Sequence, residues 1–177
     1  GPTWTAGKIG GALSFDGVDD FVDLGNDASL NQESLISISM WLKPIDYKHA
    51  ILISKGPASS AAGAYTWAFK WRISTEKLYF KIYGQNNTSN NLQYIQNPEL
   101  NVWTHLTASI GSSSQIIYLN SSIISQNNNS ILFGEISHNV RVGSTGVNEF
   151  FYGSVDDVRI YDRALSANEV QALYNMG

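Results

Sequence analysis

The sequence predicts an all-β fold, a two-sheet antiparallel β-sandwich closed by one short C-terminal helix. Three observations carry that prediction. Apolar and polar residues alternate with period two along most of the chain, clusters of Gly, Ser and Asn interrupt the alternation at short intervals, and a convincing helical pattern occurs once, near the C-terminus. About a dozen such strands in one chain of 177 residues fit two packed sheets in a single domain spanning 1–177. Gly1-Pro2 reads as a protease-cleavage scar.

In chain order, Ala12-Leu13-Ser14-Phe15 alternates, and Phe21 to Leu24 follows after a Gly-Asp turn. The clearest strand is Leu35 to Leu42, with Ile36, Ile38, Met40 and Leu42 on one face and Ser37, Ser39 and Trp41 on the other. Pro44 ends it, because proline cannot donate to a central ladder. Further strands are expected at 50–54, 65–73, 77–83, 92–95, 102–110, 115–119, 122–125, 139–142 and 152–161. The Asn- and Gln-rich stretch from Tyr83 to Asn101 reads largely as a variable loop. Ser166-Ala167-Asn168-Glu169 is a capping box ahead of Val170, Ala172 and Leu173, with Gly177 available to close the helix. The helix is expected to pack on the sandwich edge.

Composition narrows the functional classes. The chain is 43% hydrophobic and 12% aromatic, enough for a real core and richer in aromatics than a core requires. A formal charge of −4, with 11 Lys and Arg scattered along the sequence, argues against nucleic acid and against an anionic membrane surface. No apolar run is long enough for membrane insertion. The absence of cysteine removes disulfides, thiol catalysis and cysteine metal sites.

Both ends carry more specific patterns. The opening Gly10-Gly11-Ala12-Leu13-Ser14-Phe15-Asp16-Gly17-Val18-Asp19-Asp20-Phe21-Val22 and the closing stretch from Phe151 to Ser166 resemble those of laminin-G-like, concanavalin-A-like domains. Ile38 to Pro44, Ile53 to Gly56 and Trp103 to Thr107 fall between them in that family's order. The resemblance implies a jelly roll whose first and last long strands lie side by side. It also implies a module of a larger extracellular or cell-surface protein, with a glycan or a surface protein as partner, often with calcium. Fold alone fixes none of these. The family's Asp-Gly or Asn-Gly hairpin turn is replaced here by Leu119-Asn120-Ser121-Ser122.

Two groups of residues are candidate sites. Asp16, Asp19, Asp20 and Asp23 cluster near one end, and adjacency of the terminal strands would bring Asp156 to Asp16, so Asp16, Asp19 and Asp156 form a candidate Ca²⁺ set. The alternative is that these carboxylates cap turns and bind backbone amides. Trp67, Phe69 and Trp71 share one face of a strand, and Tyr79 and Tyr83 bracket Lys81 on the next. If that face is solvent-exposed, Trp71 and Tyr83 would stack on sugar rings, with Arg72, Gln85, Asn90 and Asn91 bonding at the rim; otherwise the row is core.

His49, His105 and His138 stand far apart without local partners, and His105 reads as a structural strand residue. Glu33, Glu76, Glu99, Glu135, Glu149 and Glu169 do not form the paired-carboxylate pattern of a strand-borne glycosidase. The resulting expectation is a non-catalytic, carbohydrate-binding module. The alternatives are a protein-adhesion or spacer module and, further off, a divergent glycoside hydrolase.

Overall fold

The computed structural model describes residues 1–32, 34–58, 65–72, 77–84, 89–94, 97–129, 132–134 and 137–177. Among the described residues, thirteen strands and one α-helix follow in order: β1 Thr3–Ala6, β2 Gly11–Asp16, β3 Val22–Gly25, β4 Ile36–Pro44, β5 Ala50–Lys55, β6 Trp67–Arg72, β7 Lys77–Tyr83, β8 Ser89–Tyr94, β9 Thr104–Ile110, β10 Gln115–Leu119, β11 Ser122–Asn127, β12 Val140–Val142, β13 Tyr152–Tyr161 and α1 Ala167–Tyr174. They build two antiparallel sheets, β1-β2-β13-β4-β9-β10-β11 and β3-β12-β5-β6-β7-β8. The expected sandwich is the observed fold, and β2 does lie beside β13.

The core is made where the inner faces meet. Ile36, Ile38, Met40 and Leu42 of β4 and Leu106, Ala108 and Ile110 of β9 pack against Trp67, Phe69 and Trp71 of β6 and Leu78, Phe80 and Ile82 of β7. Period-two alternation is the reason: each inner row is every second residue of its strand.

Sequence and structure differ at four places. β1 was not anticipated; all four of its residues are exposed, so nothing but the ladder to β2 marks it. Strand β8 begins at Ser89, three residues before the strand expected at 92–95 inside the Asn- and Gln-rich stretch, and its Leu92 joins the core. The β10–β11 hairpin turns through Asn120 and Ser121 at φ 48° and 63°. Two consecutive positive φ values are the mark of a type I′ turn, reached here without glycine.

The fourth difference is the helix. It lies on the outer face of the seven-stranded sheet rather than at the sandwich edge. Val170 and Leu173 pack with Leu165 on Tyr118 of β10, and Tyr174 stacks on Trp41 at 5.5 Å between centroids. Ser166 and Glu169 form the expected capping box. The segment leading into α1 is stitched to the sheet: Ser37 Oγ donates to the Arg163 carbonyl at 2.8 Å, and Ser109 Oγ donates to that of Leu165 at 2.8 Å. Ser37, Ser39, Thr107 and Ser109 are therefore buried despite their polar pattern.

Lys55 is fully buried at the end of β5. Its ammonium donates to Asn26 Oδ1 (2.8 Å), Asn31 Oδ1 (2.8 Å) and the His138 carbonyl (2.7 Å), tying two loops to the sheet. Burial lowers its pKa to about 8.

Candidate functional site

The register of β6 and β7 sorts their residues into two sets. Trp67 opposes Ile82, Phe69 opposes Phe80 and Trp71 opposes Leu78, which is the core row. Ala68 opposes Lys81 and Lys70 opposes Tyr79, which is the outer row. The two expected halves of one sugar platform thus lie on opposite faces of the sheet.

Trp71 is corrected accordingly. It is 1% exposed, its ring lies parallel to Phe151 at 6.4 Å, and its indole N–H donates to Asn97 Oδ1 at 2.7 Å. No face of that ring is free for a sugar. The ladder, not the aromaticity, decides the side.

Tyr83 belongs to the outer row. Its half-buried ring has the Lys81 ammonium 4.3 Å from its centroid and the Tyr65 ring at 6.1 Å. Lys70 reaches over Tyr65 at 5.6 Å. Burial, with Glu149 close by, pushes the Tyr65 phenol above its ordinary range. The loop between β12 and β13 borders this patch: Ile51 N–H donates to the Glu149 carbonyl at 2.8 Å, and Glu149 Oε1 lies 3.0 Å from His49 Nε2. Glu149 adopts φ 57°, a left-handed conformation that a non-glycine residue rarely takes. Arg72 ends β6 opposite Lys77, Asn91 opposes Lys81, and Asn90 opposes Ile82. Gln85 lies outside the described residues.

The acidic candidates separate. Asp16 opposes Tyr152 on β13, so Asp156 stands four residues further along, roughly 13 Å at ~3.3 Å per residue. Asp156 is buried, with Oδ2 accepting from Ile9 N–H and Oδ1 from Asp157 N–H, both at 2.7 Å. It belongs to the turn-holding alternative and not to a site with Asp16. Asp20 takes its place, since ligand oxygens of Asp16, Asp19 and Asp20 lie within 4.8 Å of one another. Two of these carboxylates already work locally. Asp16 Oδ1 accepts from Val18 and Asp19 N–H, and Asp20 Oδ2 accepts from Asp16 N–H. The backbone bond from Val18 is the main reason the Asp16 pKa is lowered. Three carboxylates fit Ca²⁺ in kind but supply at most half of the six to eight oxygens it takes unless some bind bidentately.

A family model for the concanavalin A-like lectin/glucanase superfamily matches residues 16–171, most of both sheets. The chain belongs to that superfamily. No curated protein matches this superfamily member. Among solved structures it is similar to domain 4 of AbnA, a GH43 extracellular arabinanase from Geobacillus stearothermophilus, in complex with arabinotriose. The identity is 20% and the TM-score 0.76, over 98% of this chain and 81% of that one. It is also similar to the CBM40 of Ruminococcus gnavus IT-sialidase bound to α2,3-sialyllactose (17% identity, TM-score 0.72, 92% and 96% covered). A third likeness is to the binding domain of Paraclostridial Mosquitocidal Protein 1 (15%, TM-score 0.73, 99% and 45%). Identities at this level show a shared fold.

For this superfamily member, sequence reasoning did not single out Lys70 and Tyr65. The first was within reach: the alternation that groups Trp67, Phe69 and Trp71 puts Lys70 on the opposite face. Tyr65 lies just before β6 and carries no such signal. His105 is structural as expected, 1% exposed with Nε2 2.8 Å from Ser39 Oγ, and burial lowers its pKa to about 4.

Proposed function

We propose that the chain is a non-catalytic carbohydrate-binding module of a larger extracellular or cell-surface protein. It takes its glycan on the outer face of the six-stranded sheet. The observation that carries this reading is the Tyr83 ring, half-buried beside Tyr65 and overlain by Lys81, on a face that α1 does not cover. The Lys81 ammonium lies on one face of this ring, so a sugar stacking there displaces it, while the phenol hydroxyl offers a partner to sugar oxygens at little conformational cost. Likeness to an arabinotriose-bound domain and to a sialyllactose-bound one supports the same reading. The test is titration calorimetry against a glycan panel. Saturable binding lost in Tyr83→Ala, with the melting temperature nearly kept, is the expected result; a folded protein silent to every glycan class overturns it.

Calcium is proposed for the Asp16–Asp19–Asp20 turn, with Asp156 outside the ligand set. A ligand held by the folded state raises the melting temperature by mass action. An unchanged temperature with saturating Ca²⁺ and with chelator removes this part of the proposal.

A protein partner is the second reading, and one observation favours it. An apolar cleft of about 460 Å³ opens where the two sheets part, lined by Leu13, Phe15, Val22, Val142 and Ile160, and Trp4 at its mouth is 79% exposed. A contact through this edge would be weakened by Trp4→Ser with glycan binding untouched. Among the described residues, no helix is long and apolar enough to cross a membrane.

A further inference from the structure

The 11 basic residues look dispersed in sequence, but the fold gathers four of them. β6 and β7 contain Lys70, Arg72, Lys77 and Lys81, and the strands β6, β7 and β8 contain no acidic residue. Ladder pairing puts Arg72 opposite Lys77, and Lys81 lies one diagonal from Lys70. The diagonal pair Lys70 and Lys81 brings like charges together on one face, from which the sheet gains no stability.

Glu149, the carboxylate that borders the patch, is engaged with His49 at 3.0 Å and lies close to the Tyr65 phenol, and it pairs with neither lysine. Lys70 is 7% exposed, and neither its ammonium nor that of Lys81 forms an ion pair among the described residues; each lies over a tyrosine ring instead. Arg141, on the same sheet, differs: Asp23 holds it at 3.0 Å. A nearly buried cation without an anion is costly, and an incoming carboxylate or sulfate removes that cost.

We infer that the outer face of β6–β8 selects acidic saccharides, glycans bearing carboxylate or sulfate groups. The inference rests on the carbohydrate-binding reading and narrows it. Lys70 and Lys81 supply the charge, Tyr83 the stacking surface, and Asn91 and Gln93 fall at the register positions of Lys81 and Tyr79. A saccharide fits better than nucleic acid because the patch spans only two strands, too short a basic track for the run of phosphate contacts that holds a nucleic acid.

The test uses matched pairs that differ in charge: polygalacturonate against its methyl ester, dextran sulfate against dextran, and sialyllactose against lactose, with a single-stranded DNA oligonucleotide as a non-sugar polyanion. At least one acidic member should bind tenfold or more tighter than its neutral partner. That preference should weaken with salt and fall about tenfold in Lys81→Gln at an unchanged melting temperature. Equal or tighter binding of the neutral members overturns the inference and leaves the carbohydrate-binding reading standing. Silence in every pair and in a broad neutral panel overturns both. DNA binding as tight as the best saccharide overturns the inference too, since charge alone would then explain it. Lys81→Arg keeps the cation and should retain the preference; its loss there would also count against the assignment.

Discussion

The outer faces of the two sheets began with similar patterns and ended differently. On the seven-stranded sheet, Ser37, Ser39, Thr107 and Ser109 alternate with core residues as solvent-facing positions do, yet α1 and its lead-in segment bury them. On the six-stranded sheet, Tyr79, Lys81 and Tyr83 occupy the equivalent alternation without a helix above them and stay partly exposed. The composition matches the outcome. Small hydroxyls let a helix approach and bond back to its carbonyls, whereas the bulkier Tyr79, Lys81 and Tyr83 stay partly exposed. Period two reports which residues share a face, and side-chain size and polarity report whether that face is covered.

The largest way to break this contrast is to remove what both faces stand on. Trp71→Ala deletes a core ring and should cost about 3–5 kcal/mol in chemical denaturation, abolishing glycan binding only through unfolding. Next is the cover: Leu173→Ala should cost about 2 kcal/mol. A glycan affinity unchanged in that variant would show the two faces to be independent, and a changed one would show them coupled.

Acid should act on the covered face. The pKa of His105 is about 4 when folded against 6.5 as its ordinary value, so between these pH values the unfolded chain holds more protons. Stability is then full above pH 6.5 and falls as pH drops toward 4, by about 3 kcal/mol at most from this group. Thermal melts of the wild type and His105→Gln should converge in slope if another group dominates and diverge if His105 does. The smallest stability effect is expected at the open face. Tyr83→Ala should shift unfolding by about 1 kcal/mol while reducing glycan affinity tenfold or more.

Much of the fold was legible because its signals are local. The alternation of β4, the Ser166–Glu169 box and the two end motifs each fit within a few residues. The site was less legible because it depends on register. Trp71 and Tyr83 are each placed by alternation, but only the β6–β7 ladder shows that they face opposite ways. Asp156 and Asp16 lie on adjacent strands as expected, yet a shift of four residues along the ladder separates them, and β13 bulges just beyond. Lys70 and Lys81 become neighbours only when β6 and β7 pair. β1 and the polar part of β8 carried no apolar rhythm to read.

The pairing of β2 with β13 has a consequence for how the chain reaches this state. Ile9 N–H meets the Asp156 carboxylate across 147 residues of sequence, so the seven-stranded sheet is closed by its most distant partners. Such a topology has a high contact order and folds slowly. During synthesis, β2 must wait with an unpaired edge until the final long strand has emerged. A chain halted before Tyr152 would leave Leu13, Phe15 and Leu42 without Val155, and would be a substrate for chaperones rather than a shorter sandwich.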